Sequence, residues 1–408
     1  MLPVDAAASL ILSLIEPLSD SEPLPLADAT GRVLAQPVHS PLDFPHWDNS
    51  AMDGYAVRHA DVQQIPAHLT VIEEIPAGTR PQQTIQAGQA ARIFTGAMVP
   101  DGADTIVMQE NTSRQADIVA IQSAPELGAF VRQRGAFHKA GETLLPAGVR
   151  LEGPEIAVLA AAQCAQVTVV RRPRVAIFST GDELVTPDQP LGPGQIVDSN
   201  QYALAALVTQ AGGVPVSLGI VRDDVAALRA AIAQSLTQAD IVLSSGGVSV
   251  GDYDYVDTLL KELGATLHIR AVAVKPGKPL TVATIPQQQA QLYFGLPGNP
   301  VSSLVSFWRF VQPALQKLSG LTAPWRPTFV TAKTTVALRA GGRRETYLWG
   351  RLTLAQGTLE FSPAAGGHSS GNLVNLAQAN GLAVVPMGTT VVSSGSLIQV
   401  LLRPGARL

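Results

Sequence analysis

The strongest constraint on the fold is a regular alternation of short apolar strands and helices in the second half of the chain. The strand "RVAIFST" precedes the helix "DSNQYALAALVTQAGG", and the strands "VPVSLGIV" and "ADIVLSSGG" enclose the helix "DDVAALRAAIAQSLTQ". The helix "YVDTLLKELG", two more strands and the helix "VSSLVSFWRFVQPALQKLSG" follow. Such alternation favours a largely parallel sheet with helices on both faces. The sequence therefore predicts a doubly wound α/β domain over residues 171–322.

The segments on either side of this region have a different composition. Residues 41–135 carry Val- and Ile-rich runs broken by Pro and Gly, which indicate a β-rich unit. The opening helix and the helix "GPEIAVLAAAQC" flank this unit, so we expect it to be inserted into a small α/β domain formed by residues 1–40 and 136–170. Residues 323–408 turn β-like again and predict a C-terminal β-barrel-like domain. The expected fold class is thus multidomain α/β plus β.

Composition excludes several classes of function. The 408 residues carry a formal net charge of −4, which argues against a broad electrostatic hold on nucleic acid or an anionic membrane. Cys164 is the only cysteine, so a disulfide framework and a thiolate metal site are excluded. The histidines form no HxxxH or HExxH pair. Without a basic leader or a membrane-length apolar run, we expect a cytoplasmic protein.

Four loops of unusual composition follow strands of the α/β region. They are "STGDEL" (179–184), "SSGGVSVGDYDY" (244–255), "KPGKP" (275–279) and "GLPGNP" (295–300). Because ligands of an open parallel sheet bind beyond the carboxyl ends of its strands, we expect all four loops at one edge.

The contents of these loops indicate an anion and a cation together. Glycine amides, serine hydroxyls and lysines bind oxyanions, whereas the carboxylates would repel an oxyanion unless a divalent cation lay between them. Oxygen ligands without a cysteine or a histidine pair favour Mg²⁺ over zinc. The sequence therefore predicts a phosphate and magnesium site at this edge.

Each feature also has a plain structural explanation when it is taken alone. The "SSGG" run is compatible with a simple turn between strand and helix, and Asp252 and Asp254 with caps of the following helix. The upstream stretch "PLDFPHWDNSAMDGYAV" (41–57) is either an exposed connector or a loop that carries Asp53 into a site formed elsewhere. The expected convergence of the four loops favours the functional interpretation.

The motifs taken together resemble a known family. "DNSAMDGYAV", "FTGAMVPDGADTIVMQE", "FSTGDELV", "GQIVDSNQYAL", "SSGGVSVGDYDYV", "KPGKP", "GLPGNPVS", "RRETY" and "ANGLAVVP" occur in this order over nearly the whole chain. This set is similar to the molybdopterin molybdenumtransferase (MoeA) family and to the C-terminal domain of the scaffold protein gephyrin. The "DNSAMDGYA" segment is the most specific of the motifs.

The resemblance implies a function, cofactors and partners. Enzymes of this family take adenylylated molybdopterin and molybdate, insert molybdenum into the dithiolene and release AMP in the presence of Mg²⁺. The resemblance further implies a homodimer of four-domain subunits whose site draws residues from both chains. The molybdopterin adenylyltransferase that acts one step earlier is a possible partner, and neither nucleic acid nor membrane is expected as one.

The resemblance also implies the roles of individual residues. The expected catalytic residues are Asp53, Glu183, Asp254, Lys275 and Lys278. The expected substrate-binding residues include the serines and glycines of the loops. They are Thr95, Ser245, Gly246, Gly247, Ser249, Pro297, Gly298, Asn299 and Pro300. The expected molybdate pocket consists of Lys278, Ser302, Arg343 and Ser370. The expected Mg²⁺ ligands are Glu183 and Asp254.

Two alternative functions remain at this point. The "STGDEL" and "GQIVDSN" motifs also resemble CinA-type nucleotide pyrophosphatases or amidases, which are not expected to carry "DNSAMDGYAV". The second alternative is a non-catalytic scaffold of the gephyrin kind. A scaffold could lose its carboxylates and lysines without consequence, whereas this sequence retains them all, which favours the enzyme.

Overall fold

The protein is described from a computed structural model, in which residues 1–246, 255–286 and 291–406 are described. The chain divides into two compact units. The larger unit comprises Met1–Ala35, Gly148–Glu152 and Val167–Leu408, and the smaller unit comprises Gln36–Ala147 and Gly153–Gln166. The division into four domains predicted from the sequence stays a prediction.

Six strands form the central sheet of the larger unit. In chain order they are β1 (Arg174–Thr180), β2 (Val214–Val221), β3 (Ile241–Ser245), β4 (Thr266–Ala271), β5 (Pro279–Ile285) and β6 (Gln291–Leu296). Their order in the sheet is β2-β1-β3-β6-β5-β4. Strand β1 is parallel to β2 and β3, and β3 is parallel to β6, whereas β5 is antiparallel to both of its neighbours. The predicted largely parallel sheet is confirmed, and β5 is its one reversed strand.

Helices cover both faces of this sheet, as the alternating sequence pattern predicts. The helices of this region are Asn200–Gln210, Val225–Gln238, Tyr255–Glu262, Pro300–Ser306 and Gln312–Leu318, and the π-helical turn Phe307–Val311 joins the last two. Successive side chains of a strand point to opposite faces. Ile177 of β1 accordingly shares a core with Leu204 of the first helix, and the next residue, Phe178, shares a second core with Leu228 and Ile232 of the next helix.

The pairing register places the carboxyl ends of β1, β3 and β6 at one edge of the sheet. Ser179 of β1 is opposite Ser245 of β3, and Ser245 is opposite Leu296 of β6, so these three strands end side by side. Ala271 at the end of β4 is opposite Pro279 at the start of β5. Since β5 runs in the opposite direction, the "KPGKP" loop that precedes it lies at the same edge as the loops that follow β1, β3 and β6.

The C-terminal part of the larger unit is a closed five-stranded barrel. Its strands are Phe329–Thr334, Glu345–Ala355, Thr358–Pro363, Gly381–Val385 and Leu397–Leu402. The long strand Glu345–Ala355 pairs with both Thr358–Pro363 and Gly381–Val385, and Leu397–Leu402 links Gly381–Val385 to Phe329–Thr334, which pairs back with Thr358–Pro363. The predicted barrel-like domain is confirmed.

Shorter elements complete the larger unit. The N-terminal helix Val4–Ser13 buries Val4, Ala7 and Ile11 in the same core as Leu315. The remaining elements are the strands Ser21–Pro25, Gln166–Val170, Leu184–Val185, Ile196–Val197, Val274–Lys275, Leu338–Arg339 and Val391–Val392, the 3₁₀ turn Leu26–Asp28 and the helix Leu373–Ala377.

The smaller unit is built around a six-stranded sheet, which confirms the predicted β-rich composition. In spatial order its strands are Thr105–Met108, Gly54–Val57, Gln89–Ile93, Ala67–Ile75, Ile118–Ile121 and Thr112–Gln115. It also contains the strands Val38–His39, Asn49–Ser50, Val131–Arg132 and Thr143–Leu145, the 3₁₀ turns His59–Asp61 and Gln109–Asn111, and the helix Gly153–Ala161. Across the described parts of both units, no helix combines the length and the hydropathy needed to cross a membrane.

Candidate active site

A cleft of about 710 Å³ lies where β1, β3 and β6 end. All four loops predicted from the sequence contribute to it. Their described lining residues are Thr180, Gly181, Glu183, Leu184, Ser245, Gly246, Pro279, Pro297, Gly298, Asn299 and Pro300. Further lining residues come from the segment Ile196–Asn200, from Asp223 after β2, and from Gly371 and Leu373. The expected convergence of the loops is thus present in the structure.

Glycines at the strand ends allow the loops to approach one another closely. Gly246 has a φ of +93°, and a Cβ atom on it would lie 2.4 Å from the carbonyl oxygen of Thr180. Gly246 N donates a hydrogen bond to the Leu296 carbonyl over 3.2 Å. A Cβ atom on Gly298 would lie 3.6 Å from Gly246 Cα. A larger residue at position 246 would push the ends of β1 and β3 apart.

Asn200 connects two of these loops and was not among the predicted site residues, although it lies in the motif "GQIVDSNQYAL". Its Nδ2 donates to Ser245 Oγ over 2.5 Å and to the Gly298 carbonyl over 2.8 Å. Asp198 Oδ1 accepts from the backbone N–H groups of Asn200 and Gln201 over 3.1 and 3.2 Å. The "DSN" segment was interpreted only as the start of a helix, so its polar side chains were not considered as site residues. Asp198 and Asn200 are both buried in the cleft wall.

Three carboxylates lie close together on one side of the cleft. Partial burial raises the pKa of Asp223, and the negative charges of Asp182 and Glu183 raise this pKa further. A Cβ atom on Gly181, whose φ is +151°, would lie 2.6 Å from Glu183 Oε2, so the Glu183 carboxylate is folded over this glycine. Within the described ranges, no three His, Cys, Asp or Glu side chains form a group arranged to hold a metal ion.

The predicted lysines lie on the loop before β5. Lys275 and Lys278 are both exposed, and the carbonyl of Lys278 accepts a hydrogen bond from Val272 N over 3.0 Å. Lys275 is opposite Thr346 in a short parallel pairing with the barrel. This pairing places the segment that carries Lys275 next to the strand that begins directly after Arg343 and Arg344.

The remaining residues of the predicted molybdate pocket lie on adjoining segments. Val301 N donates to the carbonyl of Ser370 over 3.0 Å, and Ser302 is buried in the same helix. A Cβ atom on Gly277, whose φ is +106°, would lie 3.4 Å from the carbonyl oxygen of Ser302. The structure thus brings the "KPGKP" loop, the helix that begins at Pro300 and the "GGHSSGN" run together, while their function stays a prediction.

Asp53 and Thr95 form a pair in the smaller unit. Asp53 Oδ1 accepts hydrogen bonds from Thr95 N over 2.7 Å and from Thr95 Oγ1 over 2.8 Å. These two bonds, together with the charge of Arg92, lower the pKa of the Asp53 carboxyl. Arg92 is held in place by a hydrogen bond to the Gly54 carbonyl. Two exposed residues that were both predicted as site residues, 42 positions apart in the sequence, are therefore hydrogen-bonded to each other.

Gly247, Ser249 and Asp254 lie outside the described residues.

A second cavity of about 1020 Å³ lies elsewhere in the larger unit, against the N-terminal helix. Buried Arg309 donates to Asp5 Oδ1 over 2.5 Å and to Tyr347 Oη over 3.1 Å, and Tyr347 Oη donates to Glu345 Oε1 over 2.7 Å. We call these four residues the Arg309 network. Burial raises the pKa of Glu345, while Tyr347 and Arg309 oppose that rise. None of the predicted site residues lines this cavity in the described part of the chain.

Comparison with known proteins identifies the family. Residues 2–162 match the model of the MoeA N-terminal region (domain I and II), residues 176–317 match a probable molybdopterin binding domain, and residues 331–402 match the MoeA C-terminal region (domain IV). The chain is 58% identical to a molybdopterin molybdenumtransferase of Nostoc sp., over 97% of this chain and 93% of that protein. It is 37% identical to molybdopterin molybdenumtransferase 2 of Mycobacterium tuberculosis, over 92% of this chain and 94% of that protein.

A solved structure gives the same result for the fold. The crystal structure of the molybdopterin biosynthesis MoeA protein from Pyrococcus horikoshii OT3 superposes with a TM-score of 0.84 at 28% identity, over 99% of this chain and all of that one (100%). The N-terminal match includes the "DNSAMDGYAV" segment, which the CinA-type alternative was not expected to carry, so that alternative is not favoured. The chain belongs to the molybdopterin molybdenumtransferase family.

Proposed function

We propose that this protein inserts molybdate into adenylylated molybdopterin and releases AMP, which completes a molybdenum cofactor. The observation that carries the proposal is the 58% identity to a molybdopterin molybdenumtransferase over almost the whole chain. The cleft at the edge of the α/β sheet supports it, because its glycine-rich turns suit a ligand that carries phosphates. In the reaction, the two dithiolene thiols form bonds to molybdenum, and their two protons leave with one molybdate oxygen as water. A further water molecule cleaves the phosphoanhydride bond, which frees AMP and leaves the terminal phosphate on the cofactor.

The two anions of this reaction are assigned to different groups of residues. We assign the phosphates to the loops that carry Ser245, Gly246 and Gly298, all of which line the cleft. We assign molybdate to Lys278, Ser302, Arg343 and Ser370, which offer cationic and hydroxyl donors. The contacts of the "KPGKP" loop and of Ser370 with the helix Pro300–Ser306 support this grouping.

Magnesium fits the carboxylate side of the cleft. Mg²⁺ prefers oxygen ligands and commonly binds through one or two carboxylates together with substrate phosphates. Partial burial raises the pKa of Asp223, and the negative charges of Asp182 and Glu183 raise it further, an excess of charge that a cation would relieve. Glu183 and Asp254 are the proposed ligands, with Asp223 as a further oxygen donor. When bound, the ion would neutralise charge on the phosphates.

Assembly and location are part of the same proposal. Asp53 and Thr95 lie in the smaller unit, whereas the cleft lies in the larger unit. We propose a cytoplasmic homodimer in which the loop around Asp53 serves the cleft of the partner subunit. Mixing Asp53→Ala and Lys278→Ala subunits should then restore part of the activity that each variant lacks alone. A fully active monomer at assay concentration contradicts the shared site.

The decisive experiment for the function is a reconstitution. Purified protein, adenylylated molybdopterin, Mg²⁺ and molybdate should yield AMP and a cofactor that activates an apo-molybdoenzyme. Omission of molybdate should prevent activation of the apo-enzyme. If the complete mixture gave neither AMP nor active enzyme, the proposed reaction would be rejected. A gephyrin-like scaffold without catalysis would then be the better description.

A further inference from the structure

Three buried oxygen atoms of cleft-lining residues have no hydrogen-bond partner among the described residues. One is the Thr180 hydroxyl, which can itself donate, and the other two can only accept. These two acceptors are Oδ2 of Asp198 and Oδ1 of Asn200. The side chains that carry them are only 3% and 8% exposed, and both line the cleft. Burial removes the water molecules that would hydrogen-bond to an acceptor, and this costs free energy unless a donor replaces them. An unpaired buried acceptor is therefore rare in folded proteins and indicates a ligand that supplies the donor.

The orientation of both side chains is fixed by their other contacts. Oδ1 of Asp198 accepts from two backbone N–H groups at the start of the helix Asn200–Gln210, so Oδ2 is the oxygen that remains. The Asn200 amide cannot be reversed, because the Gly298 carbonyl accepts and therefore requires the Nδ2 donor. The free atom of Asn200 is consequently an oxygen, and two cleft-lining residues two positions apart in the chain each carry an unpaired acceptor.

We propose that Asp198 and Asn200 form a subsite for a neutral part of the substrate that carries adjacent N–H or O–H donors. A carboxylate oxygen repels phosphate and molybdate, so this subsite suits a neutral group, next to the loops that carry Ser245 and Gly298. The inference rests on the proposed function, since it assigns a further portion of the same substrate. Adenylylated molybdopterin offers this chemistry twice, on the amino-pyrimidine edge of its pterin and on the vicinal hydroxyls of its ribose.

Asp198→Asn tests the subsite with little change of shape. The amide oxygen should keep the position that faces the two backbone N–H groups, and the amide nitrogen then replaces Oδ2. The free acceptor thereby becomes a donor that opposes the donors of the ligand. The control is Asp224→Asn, because Asp224 Oδ1 also accepts from two backbone N–H groups, over 3.0 and 2.8 Å, at the start of the helix Val225–Gln238. Asp224 is exposed and does not line the cleft.

Binding is measured by isothermal titration calorimetry with two probes, free pterin and AMP, on the intact protein. We expect Asp198→Asn to bind one probe about tenfold more weakly, about 1.4 kcal/mol, and the other unchanged. Weaker pterin binding assigns the subsite to the amino-pyrimidine edge, and weaker AMP binding assigns it to the ribose. Asp224→Asn should bind both probes as the wild type does.

Three results would overturn the inference. They are wild-type affinity of Asp198→Asn for both probes, a lack of binding of either probe to the wild-type protein, and equal losses of affinity in both variants. A melting temperature lowered equally in the two variants, with unchanged affinities, would assign Asp198 to helix capping alone. Because no turnover is required, failure of the reconstitution would reject the proposed reaction without deciding this test.

Discussion

The cleft and the cavity beside the Arg309 network are both lined by charged side chains, but these charges are satisfied in different ways. In the Arg309 network a buried guanidinium donates to Asp5 and to Tyr347, which in turn donates to Glu345. In the cleft, Asp182, Glu183 and Asp223 crowd one another, and buried acceptor atoms lack donors. The polar groups of the Arg309 network, beside the larger cavity, therefore bind one another and need no ligand.

The pKa values of two carboxyl groups express the same contrast. Burial raises the pKa of Glu345, and the hydrogen bond from Tyr347 and the charge of Arg309 counter that rise. Partial burial also raises the pKa of Asp223, but its nearest charges, those of Asp182 and Glu183, raise it further. The nearby cation Arg309 and the Tyr347 hydroxyl assist ionisation of Glu345, although Asp5 opposes it. The nearby charges of Asp182 and Glu183 oppose ionisation of Asp223, although the Thr180 side chain and the Asp182 backbone assist it. Perturbation of the second kind, in a cleft, is typical of functional sites.

If this contrast is correct, the largest effect on turnover should come from the cleft carboxylates. Glu183→Gln keeps the size of the side chain but removes its charge, so it can neither assist Mg²⁺ binding nor accept a proton. We expect AMP release to fall on the order of a hundredfold or more, as for the loss of a catalytic acid or base. The urea midpoint should stay near that of the wild type, because relief of charge crowding offsets lost contacts.

Glu262→Gln is the matched control for this substitution. Glu262 forms an exposed ion pair with Arg229 at the end of a helix that is outside the cleft lining. Its replacement should leave AMP release within about twofold, since exposed ion pairs contribute about 0–1 kcal/mol. Wild-type turnover by Glu183→Gln would remove Glu183 from the reaction and weaken the functional interpretation of the cleft.

The opposite behaviour is expected of the Arg309 network. Arg309→Met fills the space with an apolar side chain but leaves Tyr347 Oη and Glu345 without their cation. We expect a loss of about 2 kcal/mol in the free energy of unfolding, because a buried polar group loses its partner while Asp5 is mostly exposed. Three of the four tryptophans, Trp308, Trp325 and Trp349, lie in the larger unit, so urea unfolding followed by their fluorescence reports on it.

The control is Arg229→Met, which breaks an exposed ion pair and should change the free energy of unfolding by less than about 0.5 kcal/mol. Turnover of folded Arg309→Met should remain within about twofold of the wild type. The comparison fails if this variant keeps its stability but loses AMP release, since the network would then belong to the reaction.

A smaller effect distinguishes the proposed phosphate region in the cleft from the proposed molybdate pocket, whose residues are not in the described cleft lining. Lys278→Ala removes an exposed cation from the proposed molybdate pocket. The substitution should therefore raise the molybdate requirement without changing the free energy of unfolding. We expect the molybdate concentration for half-maximal insertion to rise about tenfold, about 1.4 kcal/mol, with binding of the adenylylated pterin retained. Sulfate and tungstate should compete, because both are tetrahedral dianions.

Lys333→Ala serves as the control, since Lys333 is an exposed lysine of the barrel outside the cleft. Its molybdate requirement should equal that of the wild type. If Lys278→Ala instead lost binding of the pterin and kept its response to molybdate, Lys278 would belong to the phosphate region. The proposed separation of the two anions would then be wrong.

The parts predicted correctly from the sequence depend on local patterns. Apolar runs identified five of the six strands of the sheet, and the rule that loops converge at the carboxyl ends of parallel strands located the cleft. Strand β5 was not among the predicted strands, so its reversed direction was not predicted either. The "KPGKP" loop lies at the expected edge because it follows β4, which runs in the same direction as β6, and β5 returns from that edge as an antiparallel strand.

The residues missed have partners far away in sequence or have a sufficient local explanation. Arg309 lies inside the apolar run "SFWRFV", and its partner Asp5 is 304 positions away. Asn200 lies at a helix start, and its contacts to Ser245 and Gly298 are 45 and 98 positions away. No periodic pattern encodes such pairs, so only the folded chain shows them.

The smallest expected effect is on the pH dependence of the free energy of unfolding. It distinguishes a carboxyl group that lies among like charges from one that accepts hydrogen bonds. Since the pKa of Asp223 is raised in the folded protein, the folded state binds this proton more tightly than the unfolded state does. As pH rises through the ordinary value of 3.8 and above it, ionisation of Asp223 therefore lowers the free energy of unfolding. Below that range both states are protonated, and the penalty is absent.

Asp223→Asn cannot ionise and should escape this penalty. We expect the variant to be slightly more stable than the wild type at neutral pH, with a difference that shrinks as pH falls toward 3.8. The measurement is the urea midpoint of both proteins at a series of pH values. Asp53→Asn is the control of opposite sign, because hydrogen bonds from Thr95 lower the pKa of Asp53 and its ionisation stabilises the fold at neutral pH. If Asp223→Asn were destabilised at neutral pH as Asp53→Asn should be, Asp223 would be a satisfied structural carboxylate, and the crowding that favours a cation in the cleft would be refuted.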